Sequence, residues 1–303
     1  MSDYLQIIGS IVLALIPAIL WGTFFYKKNP EDKKLLALTF IIGALAVFPI
    51  LIYKFFWNFF PWINAFKLAD YYNDSFIPIS SSLTLPMSVL ITFMLVGVIE
   101  ESMKFFSVKM VDDDYFQSID DAIEFFIVAA LGFSFTENIL YFYTIWIQEG
   151  AGNLVLPFLF RSSFSTFAHI LFSGIFGYYY GLAQFAKPIL QEELFSKRRL
   201  ITVYLHKLTS IEKEKLFYKH KMIEGFLIAV LLHASFNIFL ELNLTFMMIP
   251  FLIGGYYTLN HLFEKKNIHK DYKKLMVGKR NNPVSPQIYF KLTPIQVNQS
   301  SNE

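Results

Sequence analysis

The sequence predicts an all-α protein: a polytopic membrane bundle of about seven transmembrane helices, with the N-terminus outside and the C-terminus inside. Three observations carry that expectation. Of the 303 residues, 55% are hydrophobic and 35 are phenylalanine, well above the roughly 45–50% apolar share of soluble domains. Apolar runs long enough to cross about 30 Å of hydrocarbon begin near Leu5, Leu35, Leu83, Ile119, Leu154, Ile223 and Leu244, most of them separated by polar or Pro/Gly-bearing segments. Basic residues crowd into alternate connections, the bias that marks cytoplasmic loops. The chain is therefore expected in the cell membrane as a multi-pass protein, with the lipid bilayer around it and no nucleic-acid partner.

Taken in order, the first run lacks the basic leader and small-residue cleavage site of a signal peptide, and it reads as a retained helix. The connection after it holds Lys27, Lys28, Lys33 and Lys34 and is placed inside. Phe60 to Pro86 is interrupted by prolines and polar residues, which predicts an external loop with a membrane-dipping piece; its Lys67 is offset by Asp70 and Asp74. The turns near Gly150 and Asn243 carry no basic residue, whereas the connection after the fifth run holds Lys197, Arg198, Arg199, Lys207, Lys213, Lys215, Lys219 and Lys221. That segment, Lys187 to Met222, has two readings: an amphipathic interfacial helix or a solvated loop. Residues 1–264 are expected to form one membrane domain with its motif-bearing core at 83–242. Residues 265–303, without periodicity and rich in Pro, Asn and Ser, read as a flexible cytoplasmic tail. The chain has no cysteine, which excludes disulfides, a thiol nucleophile and Cys-ligated metals.

The apolar runs contain groups that hydrocarbon disfavours. An ionisable residue inside a bilayer costs at least about 2.5–3.5 kcal/mol, so it needs a partner or a wet functional cavity. Four segments carry them: Glu100, Glu101 and Lys104 in "EESMK"; Asp121, Glu137 and Asn138 in "DAIEFFIVAALGFSFTENILY"; Arg161 and His169 in "RSSFSTFAH"; His233 and Asn237, one turn apart, in "HASFN". Glu100 with Lys104 alone would be a structural ion pair. Glu101 changes the balance: adjacent carboxylates lie about 100° apart on a helix, one lysine cannot neutralise both, and the other is left to act as a base toward water. A histidine on an apolar helix is ordinarily a packing residue, but here two accompany Arg161 and Asn237. Gly174, Gly177 and Gly181 read as a small-residue face for close helix approach.

Several known routes to peptide hydrolysis inside a membrane are missing. There is no H-E-x-x-H zinc motif, no G-x-G-D aspartyl motif and no G-x-S-G serine motif, since Leu171 stands at the first glycine of "LFSG". A carboxylate and imidazole that activate water remain, with a His and an Asn able to donate hydrogen bonds to an oxyanion.

In this order, "EESMK", "DAI…LGFSFTENILY", "RSSFSTFAH" and "HASFN" resemble the PrsW family of membrane glutamic proteases, in the larger group that holds the CAAX prenyl endopeptidases and bacteriocin-processing homologues. The resemblance covers roughly Leu83 to Leu242. It implies an intramembrane endopeptidase with Glu100 as general base, His169 as its partner and His233 with Asn237 as oxyanion donors. Glu101 supports Glu100, Lys104 balances charge, Glu137 and Asn138 form a structural pair, and Arg161 holds Glu137 or Glu101. It implies no cofactor and no metal, and a membrane-anchored protein substrate such as a single-pass anti-sigma factor. The chain departs from the pattern at Phe126 and Ala130, where family members carry glycine. Three rival readings are a transporter or channel using these Glu and His residues as a proton or ion path, a metal enzyme, and a non-catalytic homologue.

Overall fold

A computed structural model describes residues 3–26, 33–80, 83–111, 116, 118–195 and 211–265. The fold is an all-α membrane bundle with one small hairpin. Five helical stretches are long and apolar enough to cross a membrane among the described residues: Asp3–Thr23, Lys33–Phe56, Ile119–Glu149, Ala151–Gln184 and Lys213–Glu241.

Helix α1 (Asp3–Tyr26) is followed by α2 (Lys33–Leu45) and α3 (Val47–Phe56). The break between these two has a cause in the sequence: Pro49 offers no N–H to the Leu45 carbonyl and its ring crowds it. The chain still runs on with little deviation, since the Ala46 N–H reaches the Ile42 and Gly43 carbonyls. The stretch from Phe60 to Pro86, expected as an external loop, is built of short elements. It forms a 3₁₀ turn (Pro61–Ile63), a short helix α4 (Lys67–Asp70) and an antiparallel hairpin of β1 (Phe76–Pro78) and β2 (Thr84–Pro86), in the register Ile77 opposite Leu85. Three prolines, Pro61, Pro78 and Pro86, cut the segment into pieces too short to span. Tyr53 ties the loop down, its hydroxyl donating to the Ile63 carbonyl and accepting from the Ala65 N–H.

Helix α5 (Met87–Lys109) occupies the third predicted run but is not one of the five apolar stretches, because Glu100, Glu101 and Lys104 interrupt it. Helix α6 (Ile119–Glu149) begins at a capping box between Ser118 and Asp121 and stops at Gly150, whose φ of 87° favours glycine. At 1.5 Å per residue its 31 residues extend about 46 Å, and it packs against α1, α2 and the next long helix. That next helix is composite: a 3₁₀ turn (Ala151–Leu154), α7 (Val155–Phe160), a π-helical turn (Arg161–Ser165) and α8 (Thr166–Gln184). A short α9 (Ala186–Phe195) follows, then α10 (Lys213–Glu241) and α11 (Thr245–Lys265). Thus the basic residues Lys213 to Lys221 begin the α10 helix; residues 196–210 and the tail beyond 265 lie outside the described residues. The seventh predicted run is the helix α11, which is not among the five apolar stretches.

Helices α6 and α8 form the centre and bury Phe126, Phe133, Phe172 and Phe176. Gly177 makes their approach possible: a Cβ there would sit 2.8 Å from the Ile123 Cα, in keeping with the small-residue face read from the sequence. The α2–α6 crossing rests on Gly132, where a Cβ would lie 2.1 Å from the Phe40 carbonyl oxygen. Phe126, at one of the departures, fills the core against Phe105, Phe176 and Tyr180.

Candidate active site

Helices α5, α6, α8 and α10 each bring one of the sequence motifs to a common cluster. On α5, Glu101 and Lys104 are three residues apart and form a fully buried ion pair, Lys104 Nζ to Glu101 Oε1 at 2.7 Å. The pairing expected of Glu100 with Lys104 therefore falls to Glu101 instead. Both spacings place side chains together on a helix, and the neighbours from other helices decide between them. Glu101 Oε1 also meets His233 Nδ1 at 2.9 Å, and its Oε2 accepts from Ser173 Oγ at 3.4 Å.

The hydrogen-bond partners of His169 fix which of its nitrogens accepts. An ammonium only donates, so His169 Nδ1, 2.9 Å from Lys104 Nζ, accepts. His169 Nε2–H then donates to Glu137 Oε2 at 3.1 Å. Both nitrogens of His169 are thus engaged. His233 Nδ1–H donates to Glu101, and its other nitrogen, Nε2, faces Glu100 Oε2 at 3.6 Å. The two rings meet edge to face with centroids 5.3 Å apart.

Glu137 is held by Arg161 Nη2 at 2.7 Å, and Arg161 Nε donates to Asn138 Oδ1 at 2.6 Å. Of the two carboxylates the sequence offered to Arg161, it takes Glu137. The guanidinium also lies over the Tyr141 ring, 4.5 Å from its centroid. Glu100 alone is left over: its Oε2 is buried and has no hydrogen-bond partner.

A cavity of about 550 Å³ opens beside the cluster, lined at its polar end by Glu137, Arg161, His169, His233 and Asn237. Its apolar walls include Leu156, Phe160, Phe236 and Leu240, and it reaches Thr245. Leu156 and Thr245 are close in sequence to the turns at Gly150 and Asn243, so the cavity extends from the cluster toward that end of the bundle. Nine of the ten residues singled out in the apolar runs lie in or beside this assembly; Asp121 instead caps the start of α6. Ser173 and Thr166 also belong to it, and the sequence reading missed them: a hydroxyl on an apolar helix carries no distinguishing signal.

A family model described as "PrsW family intramembrane metalloprotease" matches residues 31–258. The chain belongs to the PrsW family. Similar proteins include Protease PrsW of Halalkalibacterium halodurans, 26% identical over 254 residues that make up 80% of this chain and 90% of that protein. Protease PrsW of Shouchella clausii is 24% identical over 81% of this chain and 91% of its own length. Protease PrsW of Geobacillus kaustophilus is 25% identical over 58% of this chain and 67% of its own. No solved structure matches the chain significantly. As a PrsW protein it is a multi-pass integral membrane endopeptidase.

Proposed function

We propose that this PrsW protein cleaves a membrane-anchored protein, such as a single-pass anti-sigma factor, with Glu100 as the base that activates water. The observation that supports this reading is the isolation of Glu100: it is the one carboxylate of the cluster whose buried oxygen lacks a partner. In the proposed step Glu100 takes a proton from water, and the oxygen of that water attacks the scissile carbonyl carbon. The carbonyl π pair moves to its oxygen, and Asn237, on the cavity wall, donates an amide N–H to the resulting oxyanion. The C–N bond then breaks as the leaving nitrogen takes the proton from Glu100.

In this reading the two histidines take other parts than the resemblance implies. His233, whose Nε2 faces Glu100, is its partner; His169, committed at both nitrogens, orders the buried cations and carboxylates. Glu101 and Lys104 fix His233 and His169 respectively.

The description of the family model names a metalloprotease, and the residues here suit a cation in kind and spacing. Glu100, His169 and His233 each offer a ligand atom within 4.8 Å of the others. Each histidine has one nitrogen on a carboxylate, the support typical of ligating imidazoles, and on His169 the ligating Nδ1 would be freed by moving the Lys104 ammonium that now donates to it. These three residues would hold a divalent cation, which when bound supplies a Lewis acid and an acidified water. Elemental analysis of protein purified without added metal, repeated on Glu100→Gln, tests it: about one equivalent in the wild type that is lost in the variant establishes the metal reading.

We keep the seven-helix topology, N-terminus outside, as part of the proposal, with α5 and α11 as the two spans beyond the five apolar stretches. Both then complete the bundle around the cluster, and the cavity faces the non-cytoplasmic side. The function is tested by co-expressing wild type or Glu100→Gln with candidate single-pass proteins and comparing fragments. A fragment made by the wild type and absent with Glu100→Gln supports the reading; equal fragments from both defeat it.

A further inference from the structure

We propose that Thr166 is a positioning residue of the peptidase site, acting on His169 through Asn138, Arg161 and Glu137; this rests on the reading of the cluster as catalytic. The π-helical turn Arg161–Ser165 is where the device begins. In an uninterrupted α-helix, Arg161 and His169, eight residues apart, would point about 80° apart. The wider turn absorbs roughly one residue, which brings them to within about 20° of one face, and both then reach Glu137 Oε2.

Thr166 closes that turn. Its backbone N–H and its hydroxyl both donate to the Arg161 carbonyl, the hydroxyl at 2.9 Å. The two lone pairs of the same hydroxyl accept from Ser134 Oγ at 3.1 Å and Asn138 Nδ2 at 3.2 Å. The hydroxyl is thus saturated, with one donation and two acceptances, and it is buried. Because its proton is used on Arg161, it presents only an acceptor to Asn138. That obliges the amide to turn Nδ2 toward Thr166 and Oδ1 toward Arg161 Nε, 2.6 Å away. Arg161, gripped at Nε, directs Nη2 to Glu137, which in turn takes the proton on His169 Nε2 and leaves Nδ1 for Lys104. A chain of five side chains on two helices sets one imidazole tautomer.

Thr166→Val keeps the shape and removes all three hydroxyl bonds, whereas Thr166→Ser keeps them. Full-length protein labelled with ¹⁵N-histidine, in lipid bilayers, reports the tautomer by NMR, with His169 identified by the signal lost in His169→Gln. The expected result is a single Nε2–H tautomer in the wild type and Thr166→Ser, and a mixture in Thr166→Val. Turnover of the fragment-yielding substrate, per folded molecule, is expected to fall about 10²-fold in Thr166→Val, the scale of a 1 Å misplacement, with KM little changed and Thr166→Ser near wild type. Ser134→Ala, which removes a bond outside the chain to Arg161, is expected to lower the melting temperature alone. Should Thr166→Val not accumulate, Thr166→Ala is read by the same two measurements. An unchanged His169 signal and unchanged kcat in the Val or Ala variant overturns the proposal. Glu100→Gln separates the two claims: an inactive Glu100→Gln beside an active Thr166→Val removes only the role of Thr166, while an active Glu100→Gln removes the catalytic reading.

Discussion

Adjacent glutamates on one helix ought to fail in different ways. Glu101 accepts from Lys104 at 2.7 Å, from His233 at 2.9 Å and from Ser173 at 3.4 Å, with no exposure to solvent. Glu101→Gln leaves the Lys104 ammonium buried without its counterion, and removing one partner of a buried pair costs about 3–5 kcal/mol. At about 1.4 kcal/mol per tenfold, that lowers the folded fraction relative to unfolded by roughly two to three and a half orders of magnitude. Glu100→Gln removes no hydrogen bond at Oε2, and the amide keeps the shape of the carboxylate. It is expected to melt with the wild type while turnover drops about 10²–10⁴-fold, the range for losing a general base. The assay is thermal unfolding in detergent followed by tryptophan fluorescence, with cleavage measured per folded molecule on the same preparation. Glu101→Gln melting with the wild type, or Glu100→Gln melting as early as Glu101→Gln, would refute the division of labour.

Asn237→Ala is expected to lose about 10²–10³ in kcat, as for one oxyanion donor, with its melting temperature unchanged; a lower melting temperature with intact kcat would make Asn237 a packing residue. Gly132→Ala, whose Cβ would meet the Phe40 carbonyl oxygen at 2.1 Å, is expected to destabilise by about 1–3 kcal/mol as overpacking does. Gly254→Ala, with nothing near its Cβ, should leave the melting temperature where it is. Reporter fusions after Lys28, Arg199 and Lys274 are expected to report cytoplasm, and those near Asp74 and Gly150 the outside; an outside signal at Arg199 would overturn the seven-helix topology.

The residues of the cluster were legible because hydrocarbon makes each of them costly, so their presence in apolar runs is itself the signal. Their pairing was not. Glu100 and Glu101 are both within helical reach of Lys104, and the choice is made by His169 and His233 arriving from α8 and α10. The π-helical turn was invisible for a related reason: "RSSFS" has no proline or glycine to announce it, and Thr166, whose hydroxyl closes it onto Arg161, is itself held in place by contacts with α6. Gly177 could be read because it recurs with Gly174 and Gly181 on one helix. Gly43 and Gly132, which face Ala129 and Phe40 across the α2–α6 crossing, are single glycines on separate helices, and only the packed structure shows why each is needed. Likewise the third run could be seen as a helix, but its charged residues take it out of the plainly apolar spans.

The same charges explain why Glu100, and not a neighbour, suits the base. Three carboxyl groups, Glu100, Glu101 and Glu137, share the cluster with two basic side chains, Lys104 and Arg161. Arg161 is matched to Glu137 and Lys104 to Glu101, and each of these pairs is also tied to a histidine. Moving a proton onto Glu101 or Glu137 breaks a buried ion pair, at a cost comparable to the several kcal/mol of removing one partner. Moving a proton onto Glu100 breaks none. A base must gain and lose its proton in every turnover, so the group that can do so without unmaking the fold is the unmatched one. On the proposed mechanism, the two ion pairs and their histidines hold the four helices together while Glu100 changes state beside them.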